Sequence, residues 1–149
     1  MKGSRMGNRQ EMTAQEAPST LTLTVAARPE NLALCRLALA GLARTWSIDQ
    51  ELLADLKLAV TESCSNAIRH AYDDGDGSVR LRLEIDASHV SIEVEDDGCG
   101  FQPPPDAAEL DRFRDDGMGI ALIRALTDEL DLSAGPEGRG SLVRFRKAV

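Results

Sequence analysis

Long apolar runs are absent from this 149-residue chain. The richest aliphatic stretch, Leu32 to Ala43, is broken by Arg36 and falls short of the ~20 apolar residues that a bilayer crossing needs. No segment has the apolar core of a secretory signal, so the chain is expected to be soluble and cytoplasmic. An excess of positive charge is missing as well: 17 Lys and Arg stand against 25 Asp and Glu, a net charge of −8. With no basic segregation in the sequence, direct nucleic-acid binding and docking on an anionic membrane are not expected. Cysteine is scarce. Cys35, Cys64 and Cys99 are odd in number and lack the paired spacing of a metal site or a disulfide framework, which suits reduced thiols.

What is present fits one soluble domain with a real core, at 42% apolar and 28% charged residues. Residues 1 to 19 are polar apart from Met1, Met6, Met12, Ala14 and Ala17, so a disordered tail is expected there and the domain at 20 to 149. Leu21-Thr22-Leu23-Thr24-Val25 alternates as a strand does. Pro29 suits a first helical turn, and Leu32, Cys35, Leu39, Leu42 and Trp46 then recur along one apolar stripe. Ser47 and Gln50 have capping-box spacing, which predicts a second helix from about Ile48 to Tyr72. Its core side carries Leu53, Leu56, Val60, Cys64, Ala67 and Ala71, while Asp55, Glu62, Asn66 and Arg69 share the other. After a loop at Asp73 to Gly77, Val79 to Ile85 and Val90 to Val94 form a hairpin with one apolar face. Arg80, Arg82 and Glu84 lie opposite Ser91, Glu93 and Glu95 on its wet face. Further strands follow at Leu130 to Ala134 and Ser141 to Lys147, and a one-faced sheet with amphipathic helices makes a two-layer α/β sandwich.

Polar residues in buried phase are the chemical signal. Continuing the Val90, Ile92, Val94 alternation by one step turns Asp96 inward. An unpaired buried carboxylate costs several kcal/mol or more, so Asp96 either meets a fixed donor or ends the strand. Taken alone, Glu95-Asp96-Asp97-Gly98-Cys99-Gly100 also reads as a plain turn, and the Glu62 and Asn66 spacing as a solvated helix face. If Val143 and Phe145 face inward, so does the Ser141 hydroxyl; the opposite phase buries Leu142 instead. From Phe101 to Asp116 the periodicity fails around Pro103-Pro104-Pro105, and a loop of that length inside a domain is usually functional. Gly117-Met118-Gly119 then opens a short third helix, Ile120 to about Leu126, whose first amides suit phosphate. A dinucleotide fingerprint is rejected there: no strand precedes Gly117, and Leu122 occupies the place of the third small residue.

Four separated pieces in one order carry a resemblance: Glu62-Ser63-Cys64-Ser65-Asn66-Ala67-Ile68-Arg69-His70, Asp96-Asp97-Gly98-Cys99-Gly100, Gly117-Met118-Gly119 and Gly140-Ser141. Together they resemble the GHKL (HATPase-type) ATP-binding superfamily, and within it the anti-sigma factor serine/threonine kinases of bacterial partner-switching systems. The resemblance covers roughly residues 20 to 147. It implies a mixed, mostly antiparallel sheet covered on one face by about three helices. It further implies that Asp96 accepts a hydrogen bond from the adenine amino group with Ser141 beside it, that Gly98 and Gly100 let the backbone approach the base, and that Asn66 holds Mg²⁺. Phe101 to Asp116 would be a lid over the phosphates, with Arg112 and Arg114 as its cations, and Gly117, Met118 and Gly119 would present amides to ATP. Glu62 matches the general base that takes the proton from the substrate serine. His70 also lies in the motif, where a histidine near a helix end more often caps or packs. Ser141 stands where many members carry threonine, and the triple proline in the lid is unusual.

The function so implied is an ATP- and Mg²⁺-dependent protein serine kinase and anti-sigma factor. Its substrate would be a serine on a STAS-type anti-sigma factor antagonist, its second partner a sigma factor, and its assembly a homodimer. The alternative is a nucleotide-gated binding module without phosphotransfer. A carboxylate at Glu62 favours the kinase, because a pure module has no need of a base there.

Overall fold

Leucine, valine and isoleucine on every second residue, with threonine, arginine or glutamate between them, set the strands of this molecule. The computed structural model describes residues 17–72, 77–98, 114–135 and 138–149. Its strands are β1 (Ser19–Ala26), β2 (Ser78–Ile85), β3 (His89–Asp96), β4 (Glu129–Ala134) and β5 (Ser141–Ala148). They form one sheet in the order β1-β2-β3-β5-β4. All four pairings among the described strands are antiparallel, which agrees with the two-layer, mostly antiparallel architecture expected, without the parallel pairing that a mixed sheet would add. The element order explains this: β2 and β3 join through a tight turn, and α3 and the turn after β4 bring β4 and β5 in as a second antiparallel pair.

Among the described residues three helices cover one face: α1 (Leu32–Thr45), entered through a 3-10 turn at Pro29–Asn31, α2 (Gln50–Tyr72) and α3 (Arg114–Leu126). Helix α1 lies over β1 and β2, α2 over β2 and β3, and α3 against α2 and β4. The core between the layers is built from Leu81, Leu83, Ile92, Val94 and Phe145 of the sheet and Leu39, Leu56, Val60 and Ile123 of the helices. At about 25 cal/mol per Å² of apolar surface removed from water, this layer is the main source of stability. The opposite face is wet and charged. Arg80 pairs with Glu95 across β2 and β3, and Glu93 lies between Arg82 at 3.8 Å and Arg144 at 2.9 Å. Such exposed pairs contribute about 0–1 kcal/mol each, so they fix register and solubility more than stability.

Two helix starts differ from expectation. Ser47 has φ +51°, outside the extended region that an N-cap needs, so the chain caps α2 two residues later. There Asp49 receives the Leu52 N–H on its carboxylate at 3.5 Å and the Leu53 N–H on its carbonyl at 2.9 Å. Helix α3 opens at Arg114 rather than at Gly117. Of the tail expected at 1–19, residues 1–16 lie outside the described residues, as does the span 99–113, while Ser19 already begins β1.

Candidate functional site

The register of β3 against β5 builds the first half of the site. Asp96, the last residue of β3, stands directly opposite Ser141, the first of β5. Both are buried, at 3% and 6% exposure, so each polar group needs a partner inside the protein. The Ser141 hydroxyl donates to Asp96 Oδ2, and the Gly98 N–H donates to Asp96 Oδ1 at 2.9 Å. Two fixed donors hold the carboxylate in one orientation, and each oxygen keeps further acceptor capacity. Such a group can accept a further hydrogen bond from a donor brought to it.

Gly140 makes this corner possible. A Cβ there would lie 1.7 Å from the Asp96 carbonyl oxygen, and its φ of +66° is one that side-chain-bearing residues rarely adopt. Its N–H donates to the Gly98 carbonyl at 3.1 Å, which ties the turn after β3 to the start of β5. The neighbouring carboxylate does different work. Asp97 accepts the Ser78 N–H at 2.8 Å and faces the Ser78 hydroxyl at 3.3 Å, fastening the end of β3 to the start of β2.

The second half lies where α2 and α3 pack. Asn66 is buried at 8% exposure instead of lying on a solvated face, because α3 covers that side of α2. Gly119 of α3 is the contact point: a Cβ there would lie 3.0 Å from Glu62 Oε2 and 3.2 Å from Asn66 Nδ2. Glycine thus lets a helix backbone come down onto a glutamate and an asparagine one turn apart. Arg69, one turn further along α2, donates from Nη2 to Asn66 Oδ1. The intervening Ser63 is satisfied by its own helix, through the Ala59 carbonyl at 2.8 Å, and has no part in the site. Thr61 accepts Arg36 Nε at 2.9 Å, so α1 is pinned to the residue beside Glu62.

Both halves sit at one end of the sheet. A Cβ on Gly77 would lie 2.5 Å from the Ala71 carbonyl near the end of α2, and the next residue, Ser78, is bonded to Asp97. Asn66 is five residues before Ala71, about 7.5 Å along the helix axis at 1.5 Å per residue. The structure therefore brings Glu62, Asn66 and Gly119 into one contact and Asp96, Gly98 and Ser141 into another nearby. Gly117 and Met118 lie three and four residues inside α3, whose start at Arg114 precedes the one expected at Gly117. Gly100 and Arg112 lie outside the described residues, and Arg114 is the first residue of α3. Sequence reasoning missed the steric demand at Gly140 and the Arg69 contact. The signal for Gly140 was its place immediately before Ser141; for Arg69 it was the three-residue step from Asn66.

The arrangement has counterparts. Residues 25–147 match the model of the histidine kinase-like ATPase domain, which is nearly the whole described chain. The chain belongs to the histidine kinase-like ATPase family. Among similar proteins in this family is the serine-protein kinase RsbW of Bacillus pumilus, 30% identical over 142 residues that span 87% of this chain and 88% of that protein. The serine-protein kinase RsbW of Bacillus subtilis is 31% identical, over 74% of this chain and 75% of its own. An anti-sigma F factor from a Thermoanaerobacter species is 29% identical over 90% of this chain and 96% of that one. A crystal structure of the RsbU and RsbW domains of a Mycobacterium tuberculosis protein shares the fold, with a TM-score of 0.65 at 21% identity. The match covers 87% of this chain and 32% of that longer one. For a member of this ATPase family, a buried carboxylate with a hydroxyl beside it and an asparagine under a helix glycine are the features to explain.

Proposed function

We propose that this chain is an ATP-dependent protein serine kinase and anti-sigma regulatory factor. It phosphorylates a serine on a STAS-type anti-sigma factor antagonist, and it sequesters a sigma factor. The reading is carried by the Asp96 and Ser141 corner: a buried carboxylate with two fixed donors and spare acceptor capacity, in a chain whose similar proteins bear kinase and anti-sigma names.

The residues fit the nucleotide and its metal. Asp96 accepts the adenine amino group, Ser141 keeps that carboxylate turned to it, and Gly98 leaves room for the base. Asn66 would hold Mg²⁺ through Oδ1, the oxygen that now accepts Arg69, and a neutral ligand is sufficient beside a triphosphate. Arg69 must give way for that, and it can do so as an exposed side chain on the same helix. When bound, Mg·ATP supplies the transferable phosphoryl group and the charge that neutralises it. Glu62 would orient the substrate serine hydroxyl and take its proton, and Gly119, whose Cβ would lie 3.0 Å from Glu62 Oε2, supports the reading by leaving room beside that carboxylate. Gly117, Met118 and Gly100 complete the nucleotide contacts in this reading. The protein acts in the cytoplasm as a homodimer, and makes no direct contact with nucleic acid or membrane.

The experiment is intact mass of a STAS-type antagonist incubated with the protein and Mg·ATP, comparing wild type with Glu62→Gln. A gain of about 80 Da with wild type is expected, slowed roughly 100-fold or more in the variant. Equal rates would remove Glu62 from the mechanism. No gain with either protein would favour the nucleotide-gated module.

A further inference from the structure

The inward row of β5 ends on a lysine. Ser141, Val143, Phe145 and Lys147 share the side that faces the helices, and at about 3.3 Å per residue Lys147 stands roughly 20 Å from Ser141. An ammonium group on that side needs partners, and it has two. Lys147 Nζ donates to the Leu126 carbonyl at 2.7 Å and lies 3.5 Å from Asp55 Oδ2. Leu126 is the last residue of α3 and Asp55 belongs to α2, so one side chain of β5 holds both helices. The cation also meets the negative end of the α3 dipole.

The spacing is matched on the two helices. Gly119 and Leu126 are seven residues apart on α3, and Asp55 and Glu62 are seven apart on α2, each about 10.5 Å at 1.5 Å per residue. Gly119 meets Glu62 and Asn66 at one end of this span, and Lys147 joins Leu126 to Asp55 at the other. The helices therefore run antiparallel with their register held at two points. We infer that Lys147 and Asp55 are positioning residues for the phosphoryl-transfer site, a role that rests on the kinase reading above. They fix where α3 lies along α2, and so where Gly119 stands against Glu62 and Asn66.

The pair does little for the fold itself. Its side chains are 23% and 36% exposed, and ion pairs so placed add little stability. The chain after α3 is tied to β5 without Lys147: the Asp128 N–H donates to the Arg146 carbonyl at 2.9 Å, and Asp128 Oδ2 accepts the Ala148 N–H at 2.7 Å. What Lys147 adds is the tie to α2.

The test uses the full chain with Lys147→Met, Lys147→Arg and Asp55→Asn. Hydrogen exchange is read first, by mass spectrometry without nucleotide. Lys147→Met should speed exchange roughly 10-fold along α3, at Gly119 and Ile120 as well as at Leu126, with the thermal midpoint within about 4 °C of wild type. Mg·ATP affinity, taken from the rise in midpoint with ligand, and kcat for phosphotransfer should each fall about 10-fold. The KM for the protein substrate should not change. Lys147→Arg keeps the charge and a donor for the carbonyl, and should recover most of both losses. Asp55→Asn should add nothing when combined with Lys147→Met, because the two act as one contact. Faster exchange confined to the Leu126 end would overturn the inference. So would wild-type Mg·ATP affinity in Lys147→Met, or an equal loss in Lys147→Arg. If wild type neither binds Mg·ATP nor transfers phosphate, the kinase reading fails, and the exchange pattern alone decides whether Lys147 holds the register.

Discussion

Asp96 and Ser141 are 45 residues apart in the chain and directly opposed in the β3 and β5 register, with the Ser141 hydroxyl donating to Asp96 Oδ2 in a buried corner. This one bond satisfies two groups that burial would otherwise penalise. It also fixes which way the carboxylate faces.

Removing the hydroxyl should therefore cost more than its size suggests. Ser141→Ala leaves a buried carboxylate oxygen without its donor, and a loss of about 1–3 kcal/mol is expected in urea unfolding. Ser141→Thr keeps the hydroxyl and should stay within about 1 kcal/mol of wild type.

Gly119 separates fold from function. In Gly119→Ala the new methyl would meet Glu62 Oε2 at 3.0 Å and Asn66 Nδ2 at 3.2 Å, the ends of two side chains that can swing aside. Alanine also favours a helix interior by about 1 kcal/mol. Unfolding free energy should change by no more than about 1 kcal/mol, while phosphotransfer falls about 10- to 100-fold because Glu62 and Asn66 are displaced.

The turn between β2 and β3 gives a pH signature. Asp86 Oδ1 accepts the Ser88 N–H at 2.7 Å and the His89 N–H at 2.8 Å, and these bonds hold its carboxyl below the usual range. The folded pKa lies below the unfolded one, so the stabilisation is complete above the unfolded value, near ~3.9, and is lost as pH falls through the folded value. Asp86→Asn should lower the thermal midpoint at pH 6, and the difference from wild type should shrink below about pH 4. An equal difference at both pH values would show that charge has no part in the turn.

How far the sequence reveals this site depends on which contacts are local. The inward phase of Asp96 follows from the alternation of Val90, Ile92 and Val94, because a period of two survives to the strand end, whereas the sequence leaves Ser141 two phases and the structure selects the inward one, with Ser141 and Phe145 both buried. The opposition of the two residues is visible only in the sheet register. Asn66 reads as solvated because its helix has one clear apolar stripe; a second helix buries it, and α2 carries no local trace of α3. Ser47 resembles an N-cap until its positive φ is known, and Asp49 takes the role. The start of α3 shifts to Arg114 because helix termini depend on caps and packing more than on where glycines fall.

The most direct test of the nucleotide corner is thermal unfolding with and without Mg·ATP, for wild type and Asp96→Asn. A ligand bound only to the folded state adds about 2.7 kcal/mol at a hundredfold excess over Kd, which raises the midpoint by roughly 5–10 °C. The account predicts that rise in wild type and its loss in Asp96→Asn. No rise at millimolar ATP, or an equal rise in both proteins, would contradict it.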